Sequence, residues 1–311
     1  MGLPFPAYCA SEDFKYAAIK PKSELREGGQ RVVAYSEFGP VSFRTWISLP
    51  PKEKTLICIH GFGSTSEAFI KIAEALKDSF NIVALDLAGS GQSGVKGDFE
   101  GLNVHESNIS MVVDQVRRLT DGSSLYGLGH SLGASYVAWY SWLHPTTFRA
   151  LVLASPQTGR IKLDAVSNVK KVLFALTRVV APRKKVNLPK LFPELYVSRR
   201  GRYALSDDSV VKEWSVRSLF SIYKLISLTP KILAQVKIPT MLLVGKEDRL
   251  IDHDSVREVY ELMQARNKEL VIVEGADHWF FGLFSHVQFE DETDDRYRLV
   301  VEDIRRWIIN H

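Results

Sequence analysis

The chain has 311 residues, 45% of them apolar and 24% charged, and a net charge of +4. This is the composition of an ordinary soluble globular protein, long enough for one large α/β domain or for a core with an insertion. No run of 18 apolar residues occurs, and the start MGLPFPAYCASEDF lacks a basic n-region and a continuous apolar h-region, so neither a membrane span nor a signal peptide is expected.

Along the chain, apolar runs predict strands at 42–49 (SFRTWISL), 55–60 (TLICIH), 81–87 (NIVALDL), 123–129 (SSLYGLG), 149–155 (RALVLAS), 240–245 (TMLLVG) and 269–275 (ELVIVEG). Many are continuously apolar, as strands covered on both faces are. Helical patterns separate most of them, at 66–79, 106–122, 131–144 and 254–267, and a last helix is predicted at 294–311. Alternating strand and helix implies a mostly parallel sheet with helices on both sides. Of the two cysteines, Cys9 and Cys58, the second lies inside a strand-like run and reads as a small core residue, in keeping with a reducing, cytoplasmic compartment.

More than 80 residues separate the strand ending near Ser155 from the one beginning near Thr240, far more than a simple crossover requires. This insertion holds most of the positive charge. From Arg160 to Arg202 there are twelve Lys or Arg against two acids, a local +10 that leaves −6 for everything else. Within it Val166, Val169, Leu173, Leu176 and Val180 recur at helical spacing, with Lys170, Lys171 and Arg178 elsewhere on the helix. APRKKVNLPKLFPEL (181–195) reads as a loop.

Residues 127–135, GLGHSLGAS, place one serine between glycines where a strand becomes a helix. The G-x-S-x-G pattern describes a sharp turn that exposes Ser131 as a nucleophile. A serine hydroxyl needs a base, and the base needs an orienting acid. Two later strand ends supply candidates: Asp248 follows TMLLVG and His278 follows ELVIVEG. Glu247, Asp252 and Asp254 compete with Asp248, but none matches its offset past the strand. The amides of Leu132, after the serine, and of Phe62, in HGFGST, are candidate donors to a developing oxyanion, with His60 bracing that loop.

Five pieces in this order carry a resemblance: HGFGS (60–64), DLAGSGQS (86–93), GHSLG (129–133), GKEDRLI (245–251) and GADHWFF (275–281). Over roughly residues 40–311 the chain resembles the α/β-hydrolase superfamily, within it the capped serine esterases and monoacylglycerol-lipase-type enzymes. Ser131 argues against haloalkane dehalogenases and epoxide hydrolases, and the absence of Trp after the nucleophile departs from proline iminopeptidases. The resemblance implies a mostly parallel eight-stranded sheet with helices on both faces. Residues 1–155 and 231–311 would form the core, with 1–30 as an N-terminal extension, and 156–230 a helical cap inserted after the sixth strand.

It also implies a triad of Ser131, Asp248 and His278 and an oxyanion site at Phe62 and Leu132, with Asp86 structural. Phe62, Leu173, Leu176 and Trp279 are the candidate substrate contacts, although apolar cap residues also fit packing between cap and core. The implied reaction is hydrolysis of a carboxylic ester with an apolar acyl chain, a monoacylglycerol or similar lipid ester, through an acyl-enzyme. An acyl-thioester or carbon–carbon hydrolase with the same triad, or a silent binding protein on this scaffold, are the alternatives. No metal, nucleotide or other cofactor and no nucleic-acid partner is expected: the histidines lack metal spacing and GSGQSG (89–94) lacks a phosphate-loop lysine. The basic stripe reads either as a solvated surface or as a peripheral contact with an anionic membrane or acyl-CoA phosphates.

Overall fold

A computed structural model describes residues 28–158, 177–191, 205, 207–285 and 296–311. Eight strands form one sheet: β1 (Gln30–Ser36), β2 (Gly39–Trp46), β3 (Lys54–Ile59), β4 (Asn81–Leu85), β5 (Ser124–His130), β6 (Leu151–Ala154), β9 (Thr240–Gly245) and β10 (Lys268–Val273). Their spatial order is β1-β2-β4-β3-β5-β6-β9-β10. The pairings β1–β2 and β2–β4 are antiparallel, and the other five are parallel. A separate two-stranded ribbon, β7 (Lys185–Asn187) with β8 (Glu213–Ser215), lies in the inserted stretch.

The continuously apolar runs are the inner strands. Every residue of β4, β6 and β9 is buried, because helices cover both sheet faces. On one face α2 (Leu102–Leu119), α3 (Leu132–Leu143) and the helices Val216–Gln235 and His253–Leu262 share a core that includes Val112, Val137, Ile232 and Val256. On the other, α1 (Ile70–Leu76) and the last helix, Tyr297–Asn310, pack Ile72, Leu76, Ile304 and Trp307 against Leu56 and Met241. Cys58 is fully buried in β3, and burial pushes its thiol well above the ordinary value.

Several predicted elements move. The strand β1 escapes the sequence pattern, because QRVVAYS lies at the sheet edge and is only half-buried, which blurs its alternation. The helix predicted at 66–79 is a 3-10 turn (Ser66–Phe69) followed by α1. The loop predicted at 181–195 contains β7 and a one-turn helix, Leu188–Leu191. Of the amphipathic helix predicted at 166–180, only 177–180 lie among the described residues; they are helical, but Val180 is 81% exposed. Val180 therefore does not pack on the core, and the helix stops there ahead of Pro182.

The largest addition is the helix Val216–Gln235, which buries Ile222, Leu225, Ile232 and Leu233 despite the interior Pro230. It supplies the crossover that returns the chain from β6 to its parallel neighbour β9. It also runs without a break through residue 230, where the boundary between cap and core was expected. Among the described residues no helix is long and apolar enough to cross a membrane.

Candidate active site

The strand β5 ends at His130 and α3 begins at Leu132, leaving Ser131 alone at the turn with φ 55° and ψ −122°. A non-glycine residue held there stores strain, on the order of 1–3 kcal/mol. The flanking glycines make the bend feasible. A side-chain carbon on Gly133 would lie 2.0 Å from the Ile59 carbonyl oxygen, and one on Gly129 would lie 2.4 Å from the Ala134 backbone. The Ser131 amide donates to the Ala154 carbonyl at 2.8 Å, tying the elbow to the neighbouring strand.

Asp248 and His278 leave the ends of β9 and β10, which pair in parallel register. Their loops join where the Glu247 amide donates to the Ala276 carbonyl at 2.9 Å. His278 Nδ1 and Asp248 Oδ2 then meet at 2.8 Å. The Leu250 and Ile251 amides donate to Oδ1 at 2.8 and 3.0 Å, and Ser155 Oγ donates to Oδ2 at 2.7 Å. Burial alone would push this carboxyl up. The His278 hydrogen bond and charge, with help from Ile251 and Ser155, outweigh it and hold the carboxyl below its ordinary range. A carboxylate so fixed leaves the imidazole with Nδ1 as the donor and Nε2 free to accept a proton.

The elbow sits beside this pair. His130 Nε2 donates to the His278 carbonyl at 2.8 Å, and the two rings lie 4.9 Å apart. Burial, followed by the His278 charge, lowers His130 to about 3, so it stays neutral and serves as a brace. The Ser131 hydroxyl accepts from Gln157 Nε2 at 3.4 Å. Among the described residues the imidazole makes no hydrogen bond to that hydroxyl, an arrangement common before substrate tightens a site.

The turn carrying Phe62 closes through the Ser64 amide on the Gly61 carbonyl at 3.2 Å, with Gly63 at φ +72°. It abuts the elbow, for a side-chain carbon on Gly61 would lie 3.2 Å from Ser131 Cβ. The Phe62 amide takes no part in that turn bond, and the Leu132 amide opens a helix, where intrahelical partners are lacking. His60 braces the turn as expected. Its Nε2 accepts from the Leu87 amide at 3.0 Å, so Nδ1 donates to the Gly61 carbonyl at 2.8 Å. Asp86 is structural, accepting from the Ser66 amide at 2.7 Å and pairing with Arg31 at 3.2 Å.

Among the candidate substrate contacts, Phe62 is 36% exposed and Trp279 is half-buried with its ring edge-on to His278 at 5.4 Å; Leu173 and Leu176 lie outside the described residues. Two polar neighbours escape sequence reasoning. Ser155 and Gln157 follow β6, and only the adjacency of β6, β5 and β9 brings them to Asp248 and Ser131. Ser155 as the last residue of the predicted strand 149–155, and Gln157 two residues beyond it, were the available signal.

Residues 50–282 match the family described as serine aminopeptidase, S33. A monoglyceride lipase homolog of Monkeypox virus is 27% identical over 266 residues, covering 83% of this chain and 90% of that protein. The monoglyceride lipase of Homo sapiens is 23% identical over 269 residues, 85% of each chain. Among solved structures, a soluble variant of monoglyceride lipase from Saccharomyces cerevisiae superposes with a TM-score of 0.74 at 16% identity, covering 95% of this chain and 99% of that one. The monoacylglycerol lipase of Paleococcus ferrophilus gives 0.69 at 21% identity, covering 87% and 99%. With a family match over three-quarters of its length and a mostly parallel eight-stranded sheet, the chain is an α/β-hydrolase and belongs to the serine aminopeptidase S33 family.

Proposed function

We propose that this protein is a serine hydrolase of carboxylic esters with an apolar acyl chain, a monoacylglycerol or a similar lipid ester. The observation that carries the proposal is the closed Asp248–His278 pair seated against a strained serine elbow, with the Phe62 turn touching the same serine. Ser131 Oγ attacks the acyl carbonyl while His278 Nε2 takes its proton. The amides of Phe62 and Leu132 receive the oxyanion, each good donor contributing about 3 kcal/mol. His278 then protonates the leaving alcohol, and water, activated by the same imidazole, releases the acid from the acyl-enzyme. Asp248 fixes the tautomer throughout and stabilises the imidazolium.

The relatives named monoglyceride lipases support the lipid-ester substrate over a thioester or a carbon–carbon bond. The inserted residues ahead of the helix Val216–Gln235 act as the cap, and that helix ties them to the core. A cytoplasmic enzyme would reach lipid interfaces through the basic part of the cap, where Arg183, Lys184 and Lys185 stand exposed beside Val179 and Val180.

The test sets medium- and long-chain monoacylglycerols beside acyl-CoA, with a serine-reactive phosphonate as a label. The proposal requires ester turnover that Ser131→Ala abolishes, together with loss of the label. Turnover of acyl-CoA alone would turn the assignment to a thioesterase, and an unlabelled, inactive protein would make it a binding protein. Replacing Arg183, Lys184 and Lys185 by Gln should weaken activity on anionic vesicles and spare a small soluble ester; equal loss on both would remove the membrane role.

A further inference from the structure

The oxyanion turn has little of its own to hold it. It contains two glycines and one backbone hydrogen bond of its own, at 3.2 Å, beside the His60 bond to the Gly61 carbonyl, and the Phe62 side chain is 36% exposed. Where His60 holds its Gly61 end, the Phe62 and Gly63 side is gripped from the inserted stretch. The Val211 amide donates to the Gly63 carbonyl at 3.0 Å, and the Trp214 ring lies against the Phe62 ring with centroids 5.0 Å apart and planes tilted by 31°. Trp214 is 2% exposed, its Nε1 donates to the Val211 carbonyl at 3.1 Å, and its ring meets Phe99 edge-on at 6.2 Å.

The same short stretch is stitched to a core loop on its other side. The Ser215 amide donates to the Gly97 carbonyl at 2.8 Å. Gly97 passes so close that a side-chain carbon there would lie 1.9 Å from the Glu213 carbonyl oxygen. Arg217 makes two bonds to Asp98, at 2.8 and 2.5 Å, while Ser218 Oγ accepts from the Phe99 amide at 2.8 Å and donates to the Phe99 carbonyl at 3.1 Å. Residues 211–218 therefore form a strut anchored at 97–99, with its free side pressed on the turn that carries the Phe62 amide.

We propose that this strut is part of the oxyanion site, with Trp214 as a positioning residue that fixes where the Phe62 amide points. The inference rests on the ester-hydrolase reading above. It adds that the inserted stretch, beyond covering the site, determines the quality of its electrostatics. Donor placement matters on the scale of a few tenths of an ångström, because the donor must meet the oxygen of the tetrahedral intermediate and not that of the ground-state carbonyl. A turn released from Trp214 and still able to bind substrate should lose rate and keep affinity.

The experiment compares Trp214→Leu, Trp214→Phe, Phe62→Ala and the Trp214→Leu/Phe62→Ala double variant on a short-chain p-nitrophenyl ester. Trp214→Leu should lower kcat by about tenfold to a hundredfold with KM nearly unchanged. It should weaken a trifluoromethyl ketone, which forms the charged tetrahedral adduct, by a similar factor. Trp214→Phe, which keeps an aromatic face, should recover most of both. Phe62→Ala keeps the amide and removes only the exposed ring, so it probes the same contact without opening the core; it should reproduce the loss, and the double variant should add little. Unchanged kcat, a loss confined to KM, additive single effects, or failure of Trp214→Phe to rescue would each overturn the inference. A wild-type protein with no ester turnover and no phosphonate label at Ser131 would instead sink the hydrolase reading itself.

Discussion

Replacing Ser155 by Ala removes one donor from a carboxylate whose side chain has no exposed surface. The lost bond, 2.7 Å to Asp248 Oδ2, is charge-assisted, a class that contributes about 1.5–3 kcal/mol. Three donors remain, His278 and the Leu250 and Ile251 amides, so the carboxylate is weakened and not orphaned. We expect a stability loss of about 1–2 kcal/mol at pH 7.

The pH dependence follows from linkage. The folded carboxyl of Asp248 lies below its unfolded value, so its ionisation adds stability that is fully present above the unfolded value, near 4, and is lost as pH falls through the folded one. Ser155→Ala raises the folded value. Its cost is therefore full at neutral pH and shrinks only below the unfolded value, as pH falls through the two folded ones. Urea unfolding at pH 7, 5 and 3 measures this, and kcat on a short-chain ester should fall about tenfold at pH 7 as the imidazole loses part of its orientation. A stability difference that grows toward low pH, or none at pH 7, would refute the view of Asp248 as a carboxylate held ionised by its donors.

Asp248→Asn should leave the fold intact and lower kcat by about ten-thousandfold, because an amide in that position favours the wrong imidazole tautomer; steady-state kinetics beside circular dichroism will show it. Gly97→Ala drives a methyl group into the Glu213 carbonyl, so the stretch Val211–Ser215 should detach, read as faster proteolysis within 207–218 with the sheet still folded. Gln157→Leu removes the bond that engages the resting Ser131 hydroxyl, and phosphonate labelling should accelerate about two- to fivefold; slower labelling would assign Gln157 a supporting role in attack.

The catalytic candidates were legible because each stands at or within a few residues of the end of an apolar run, buried in β5 and β9 and half-buried at the edge in β10, and such a run announces both itself and its end. Ser131 had the added mark of its two glycines. What stayed hidden depends on neighbours distant in sequence. Ser155 acts on Asp248 because β6 and β9 lie side by side, an order no local pattern encodes. The helix Val216–Gln235 was obscured by Pro230, whose cost the surrounding packing of Leu225, Ile232 and Leu233 overcomes. The grip of Trp214 on Phe62 joins positions more than 150 residues apart, and an isolated tryptophan near a polar turn gives no hint of it.

Because β6 and β9 are parallel neighbours, the chain leaves the C-terminal end of one slot and re-enters the opposite end of the adjacent one, about 4.8 Å to the side, with the returning helix spanning the length between. Whatever is threaded between those slots and the returning helix can lengthen, shorten or change its lining without asking any strand to shift. On the function proposed above, substrate choice and proton transfer would then reside in separate stretches of one polypeptide. The exception is the few residues of that stretch resting on the Phe62 turn, where an exchange of covers would reach the chemistry itself.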